Sequence, residues 1–132
     1  MQANDHKQLL YVGDSDLEFR QLADILSHSL WSLQRAIDCA QAAEILGREA
    51  VPVVLASGQV DEDSWAGLLE RAGAAPPNLI VCSLNDAESV RMARQKAFDV
   101  LDTPFDETQV LRRLDVAEWD WNRRHRFAAP KE

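Results

Sequence analysis

The chain is poor in cysteine, short of basic residues and without any long hydrophobic run, and each shortage excludes something. Cys39 and Cys82 are the two cysteines among 132 residues, too few and too far apart for a disulfide framework or a metal knuckle. Flanked by apolar residues, they read as buried, reduced thiols. Lys and Arg number 14 against 22 Asp and Glu, a formal net charge of −8, which excludes nucleic acid as a direct partner because phosphate binding needs a basic face. The local exception, Arg123, Arg124 and Arg126, reads as a basic cluster complementing the C-terminal end of a helix dipole. No apolar run approaches the ~20 residues that span a bilayer, so no membrane partner is expected. The N-terminal stretch Met1-Gln2-Ala3-Asn4-Asp5-His6-Lys7 lacks a signal-peptide core, which makes the cytoplasm the default compartment. Ser57-Gly58 follows an apolar run, but there is no Gly-x-Ser-x-Gly elbow, and His6, His28 and His125 lie in remote segments. No hydrolase, and no enzyme activity of any kind, is expected.

What is present fits a single globular domain. A hydrophobic fraction of 46% with four tryptophans can fill one compact core. Short apolar runs alternate with segments of helical period, the mark of a parallel sheet covered by helices. Leu9-Leu10-Tyr11-Val12 is the first strand, ending at Gly13-Asp14-Ser15-Asp16, any of whose last three residues can cap the following helix. That helix carries Leu22, Ile25, Leu26 and Leu30 at helical spacing. Ser32 to Ile37 is a weak second strand, and Ala40 to Leu46 a helix with Gly47 near its stop. Val51 to Ala56 is a continuously apolar third strand, as burial on both faces requires. Ser64 to Ala72 is the third helix, Leu79 to Cys82 the fourth strand, Ala87 to Lys96 the fourth helix and Phe98 to Leu101 the fifth strand. The last helix follows Pro104-Phe105 and carries Val110, Leu111, Leu114, Ala117 and Trp121 on one side.

Strict alternation of five strands and five helices predicts an α/β, flavodoxin-like three-layer sandwich with sheet order 2-1-3-4-5. Residues 1–8 read as an N-terminal tail, 9–126 as the domain, and 127–132 as a C-terminal tail or the start of a linker. Ligand sites in such sheets lie at the carboxyl ends of the strands, at the switch between strands 1 and 3. Gly13, Asp14, Ser57, Ser83 and Thr103 fall at those ends.

Over residues 9–119 the chain resembles the receiver domains of response regulators, the CheY-like family. The resemblance is carried by Leu9-Leu10-Tyr11-Val12-Gly13-Asp14-Ser15-Asp16, by the run from Ala42 through Ser57, and by Ala97-Phe98-Asp99-Val100-Leu101-Asp102-Thr103-Pro104-Phe105. The family resemblance implies that Ser57 stands where the phosphoaccepting aspartate stands, and Thr103 where the family has lysine. Ser83 matches the switch hydroxyl, Val100 replaces the switch aromatic, and Lys96 stands where glycine is usual. Pro104 matches a proline whose preceding peptide bond is typically cis. Of the family's acidic pair only one member survives. Without a gap, Gly13 replaces the first acid and Asp14 keeps the second; with a one-residue shift, Asp14 keeps the first and Ser15 replaces the second.

These replacements are chemically coherent. An aspartate attacks a phosphoryl group because it is already anionic, whereas a serine must first lose a proton to a base. Magnesium wants several hard oxygen ligands, and Asp14 is the single pocket carboxylate expected, so no cofactor is expected beyond weakly held Mg²⁺. In the ungapped register, aspartates at positions 13 and 57 should strengthen that binding. Without the acceptor carboxylate a lysine at position 103 would be an unpaired buried cation. The implied function is an atypical receiver that signals by phosphorylation-independent binding to a protein partner or a second copy. The family's usual docking face is built by its fourth helix, fifth strand and fifth helix. Trp119 and Trp121, two positions apart, cannot share one helical face, so one is expected inside and the other at an interface, where large aromatics serve as anchors. Trp31 and Trp65 are expected to pack within the domain. The alternatives are a receiver that takes phosphate or an anion at a non-standard site using Asp14 and a loop acid such as Asp61 or Asp63, and a small-ligand sensor using the vacated pocket.

Overall fold

The computed structural model describes residues 7–49, 51–57, 77–82 and 87–128. Five strands form one sheet: β1 (Lys7–Val12), β2 (Trp31–Ala36), β3 (Val53–Ser57), β4 (Asn78–Cys82) and β5 (Asp99–Leu101). Their order is β2-β1-β3-β4-β5, and every neighbouring pair is parallel. Four helices accompany them among the described residues: α1 (Asp16–Leu26), α2 (Cys39–Arg48), α3 (Ala87–Lys96) and α4 (Glu107–Ala128). The expected count of five is therefore corrected to four for these residues; the helix expected over Ser64–Ala72, with Trp65, lies outside them. The fourth and fifth expected helices correspond to α3 and α4.

The sequence builds the layers by strand alternation. Side chains of a strand point to opposite faces in turn, so Leu9 and Tyr11 of β1 join Val53 and Leu55 of β3 and Ile80 and Cys82 of β4 on one face. Leu22 and Leu26 of α1 and Val110, Leu114 and Ala117 of α4 cover them. The alternate residues Leu10, Val12, Val54, Ala56, Leu79 and Val81 face the other way, under Ala42 of α2 and Ala93 of α3. Sheet and two helical layers thus share a core on each face, the flavodoxin-like arrangement.

Helix starts are fixed by capping. Ser15 caps α1, its Oγ accepting from the Glu18 backbone N–H at 3.1 Å. Asp38 does the same for Gln41 at the start of α2, at 3.0 Å, and Asp106 for Gln109 in α4, at 3.0 Å. Each cap satisfies a donor that the first turn leaves open. Boundaries differ from expectation at several points: α1 ends at Leu26, before Leu30, and β3, β4 and β5 run Val53–Ser57, Asn78–Cys82 and Asp99–Leu101. Gly47 does not stop α2, which runs on through Arg48; a side chain at Gly47 would meet nothing, so no tertiary contact forces a break there. β2 starts one residue early, at Trp31, and β1 pairs with it from Lys7.

α4 continues to Ala128, and its 22 residues span roughly 33 Å, well beyond the ~20 Å of a six-residue strand. Polar contacts at the foot of the sheet hold the overhang. Asn78, the first residue of β4, donates from Nδ2 to the Ala117 carbonyl at 2.7 Å and to Asp120 Oδ2 at 3.1 Å. Its Oδ1 accepts from Arg124 at 2.7 Å. Arg123 and Arg124 both pair with Asp120, at 2.9 and 3.1 Å. On the other side Lys7 reaches Asp115 at 3.3 Å and lies over the Trp31 ring.

Candidate functional site

The register Val12↔Ala56 sets Gly13 level with Ser57 at the carboxyl ends of the two central strands. Gly13 is tied to the next strand as well, its N–H donating to the Ala36 carbonyl at 2.9 Å. Asp14, one residue on, is exposed. Ser57 is fully buried.

Beside them stands a residue that sequence reading placed only in the core. Tyr11 lies two positions before Gly13 on the same face of β1, and its ring reaches up to the strand ends. A Cβ on Gly13 would lie 2.8 Å from Tyr11 Oη, 3.0 Å from Tyr11 Cζ and 2.9 Å from Ser57 Cβ. Glycine at 13 is thus a matter of space. Tyr11 donates its hydroxyl proton to Glu18 Oε1 at 2.6 Å, a short charge-assisted bond, and shares a hydrogen bond with Ser57. Its ring meets Phe19 of α1 at 6.1 Å between centroids. Burial pushes the phenol far above its ordinary pKa, and the Glu18 carboxylate adds to that, outweighing the lowering by Ser57. The hydroxyl is a fixed donor, and no base for Ser57.

Arg35 of β2 closes the rim. Its Nε donates to the Gly13 carbonyl at 3.3 Å, and one terminal nitrogen meets Asp16 at 2.8 Å. The guanidinium also lies over the Phe19 ring at 5.3 Å. A cation of the chain itself therefore sits beside the acidic turn. Among the described residues no group of three His, Cys, Asp or Glu side chains could hold a metal ion.

Thr103 is exposed, and the Thr103–Pro104 peptide is cis, the geometry expected of that proline. Val100 is buried opposite Val81 within the core under α2 and α3. Its predecessor Asp99 binds Arg113 of α4 through both carboxylate oxygens, each at 2.7 Å. Strand β5 is thereby clamped to α4. Ser83, Asp61 and Asp63 lie outside the described residues. Of the paired tryptophans, Trp119 is 63% exposed with Arg123 over its ring at 5.4 Å, and Trp121 is half-buried. Val116, one helical turn before Trp119, is also exposed, at 51%. Trp31 is buried.

Sequence reasoning missed Tyr11, Glu18 and Arg35 as parts of this site. One signal was available: a bulky aromatic two residues before a glycine on a buried strand places both on one face, where the ring can take the space the glycine leaves.

The fold is similar to that of solved signal receiver domains. The receiver domain of an HD domain-containing protein from Pseudomonas fluorescens Pf-5 superposes with a TM-score of 0.80 at 18% identity, covering 96% of each chain. A response regulator from Thermotoga maritima matches with a TM-score of 0.72 at 17% identity over 86% of this chain and 98% of its own. The beryllofluoride-activated NtrC4 receiver domain dimer gives 0.74 at 18% identity over the same shares of the two chains, 86% and 98%. At such identities the likeness establishes the fold. No family model matches the sequence, and no curated protein does. No helix among the described residues is long and apolar enough to cross a membrane.

Proposed function

We propose that this chain is a receiver module of a signalling regulator that works without phosphorylation, by binding another protein or a second copy of itself. It carries no enzymatic activity and needs no cofactor. The observation that carries this reading is Ser57: at the acceptor position, fully buried and hydrogen-bonded to a phenol that burial keeps protonated. A serine shielded from solvent and bound to a protonated phenol is a poor phosphoacceptor, since it must first lose its own proton. Arg35 beside Gly13 and Asp16 weighs against a divalent cation at the acidic turn, and the Tyr11 ring packed against Gly13 weighs against a small ligand there.

Incubation with acetyl phosphate and Mg²⁺ should leave the intact mass unchanged. Tryptophan fluorescence should show Mg²⁺ binding no tighter than roughly millimolar, since ligand charge sets affinity. A labile phosphoryl adduct on an aspartate, Asp14 above all, would overturn the reading in favour of a non-standard acceptor.

The binding surface follows from α3, β5 and α4. Val116 and Trp119 are exposed apolar side chains a turn apart, and exposed tryptophans anchor interfaces. A structurally similar receiver is a dimer. Val100 has no ring to swing, and the Asp99–Arg113 clamp holds β5 to α4, so the face keeps one arrangement. Trp119→Ala should weaken self-association or partner binding roughly thirtyfold, the ~2 kcal/mol of an interface anchor, while the melting temperature stays near the parent's. Sedimentation across a concentration series reads the first; unchanged association, or association altered by acetyl phosphate, would refute a constitutive interface on this face.

A further inference from the structure

We propose that Tyr11 is the residue that closes the acceptor pocket, occupying the space that a side chain at position 13 would need, so that the acidic pair cannot be rebuilt while the ring is present. The proposal rests on the reading of this chain as a receiver that is not phosphorylated, and names the residue that enforces it.

The geometry is specific. Any residue larger than glycine at 13 meets Tyr11 Oη at 2.8 Å and Cζ at 3.0 Å, both inside van der Waals contact. Such an overlap would be minor if the phenol could swing aside. It cannot, because three contacts hold it. The hydroxyl is bound to Glu18 at 2.6 Å and to Ser57, the ring packs on Phe19, and no part of the residue reaches solvent. Glu18 is presented by the first turn of α1, which Ser15 caps. The strand ends have also closed together, with Ser57 Cβ 2.9 Å from where a Gly13 Cβ would stand. That contact burdens any substitution at 13 equally, with or without the ring, and so separates from the effect of Tyr11.

The closed pocket revises the expectation that aspartates at 13 and 57 alone would strengthen metal binding. With Tyr11 retained, a carboxylate at 13 has no room. With Tyr11→Val, the Oη and Cζ contacts vanish and the contact with Ser57 Cβ is the one that remains of the three.

Two measurements test this. The first is a double-substitution cycle read by thermal melting. Gly13→Ala should lower the melting temperature by roughly 8 °C in the parent, the overpacking penalty of a filled core. It should lower it by less than half as much when made in the Tyr11→Val chain. Equal shifts in the two backgrounds would overturn the proposal. The second compares Gly13→Asp with Ser57→Asp, made together, with and without Tyr11→Val, titrated with MgCl₂ by calorimetry. The triple variant should bind Mg²⁺ at least tenfold more tightly than the parent, and the double variant should not. Equal Mg²⁺ affinity of a folded double variant and the triple would also overturn it. If neither of these variants folds, the alanine cycle decides alone. A phosphoryl adduct on the unmodified chain would instead defeat the functional reading, and would leave the outcome of the cycle untouched.

Discussion

Alkaline titration of this protein should yield no tyrosinate until the chain unfolds. Tyr11 is the only tyrosine in the sequence, so ultraviolet difference absorbance reads this one side chain. Burial raises its pKa far above the ordinary phenol value of about 10, and the hydrogen bond to Glu18 raises it further. A folded-state pKa above the unfolded one means that the native state holds its proton longer. The associated stability is fully present below about pH 10 and declines as pH rises past that value, because only the unfolded chain then gains by ionising. Tyrosinate should therefore appear together with the loss of native tryptophan fluorescence, as one cooperative step. Tyr11→Phe should be less stable at neutral pH by roughly 1–2 kcal/mol, since Glu18 loses its donor. Its stability should fall less steeply above pH 10, with no phenol left to ionise. A smooth titration of the parent near pH 10 with the fold intact would show that Tyr11 is not sealed in the core beside Gly13 and Ser57.

Severing the foot of the sheet should release the far half of α4. Asn78→Leu keeps the volume but removes the two bonds to Ala117 and Asp120 and the one from Arg124. The expected loss is about 1–3 kcal/mol, the usual penalty for breaking a part-buried network. That corresponds to a melting temperature roughly 3–10 °C lower. Amide exchange should quicken from about Asp120 onward while Val110 and Leu114, buried against the sheet, keep their protection. Acid response adds a second check. Partial burial opposes ionisation of Asp120, but hydrogen bonds from Asn78, Arg123 and Arg124 outweigh it and hold the carboxyl below its ordinary value. A lowered folded-state pKa gives stability that is present above about pH 4 and lost as pH falls below it. Asn78→Leu should blunt that loss. Unchanged exchange at the helix end would mean that the Lys7 contacts alone hold α4 in place.

The two core faces were legible because strands buried on both sides leave continuous apolar runs: Leu9–Val12, Val53–Ala56 and Leu79–Cys82 are all buried. The edge strand β2 is half-exposed along its length, so its pattern is weak and its start was read one residue late. The full length of α4 was not legible, because its last turns are held by Asn78, 42 residues before Asp120 in the chain, and no local period reports such a contact. The candidate site divides the same way. Ser57, Thr103 and Pro104 could be singled out by their likeness to a family pattern, and the cis bond before Pro104 is seen. Tyr11, Glu18 and Arg35 could not, because their roles come from a strand residue, a helix residue and an edge-strand residue meeting in space. Gly13 shows the difference most plainly. In one of the two sequence registers it is an acid that is missing; in the structure it is a position where a side chain has no room.

The close approach at Gly13 also couples positions 11 and 13. While position 13 carries a side chain, a tyrosine at 11 has nowhere to put its ring; once the glycine is in place, the ring fits and gains hydrogen bonds to Glu18 and Ser57. An acid introduced at 13 meets that ring and the Ser57 Cβ, so a substitution there is expected to be tolerated better when position 11 is made smaller as well. A close contact of under 3 Å thus makes the effect of any substitution at 13 depend on which residue stands at 11.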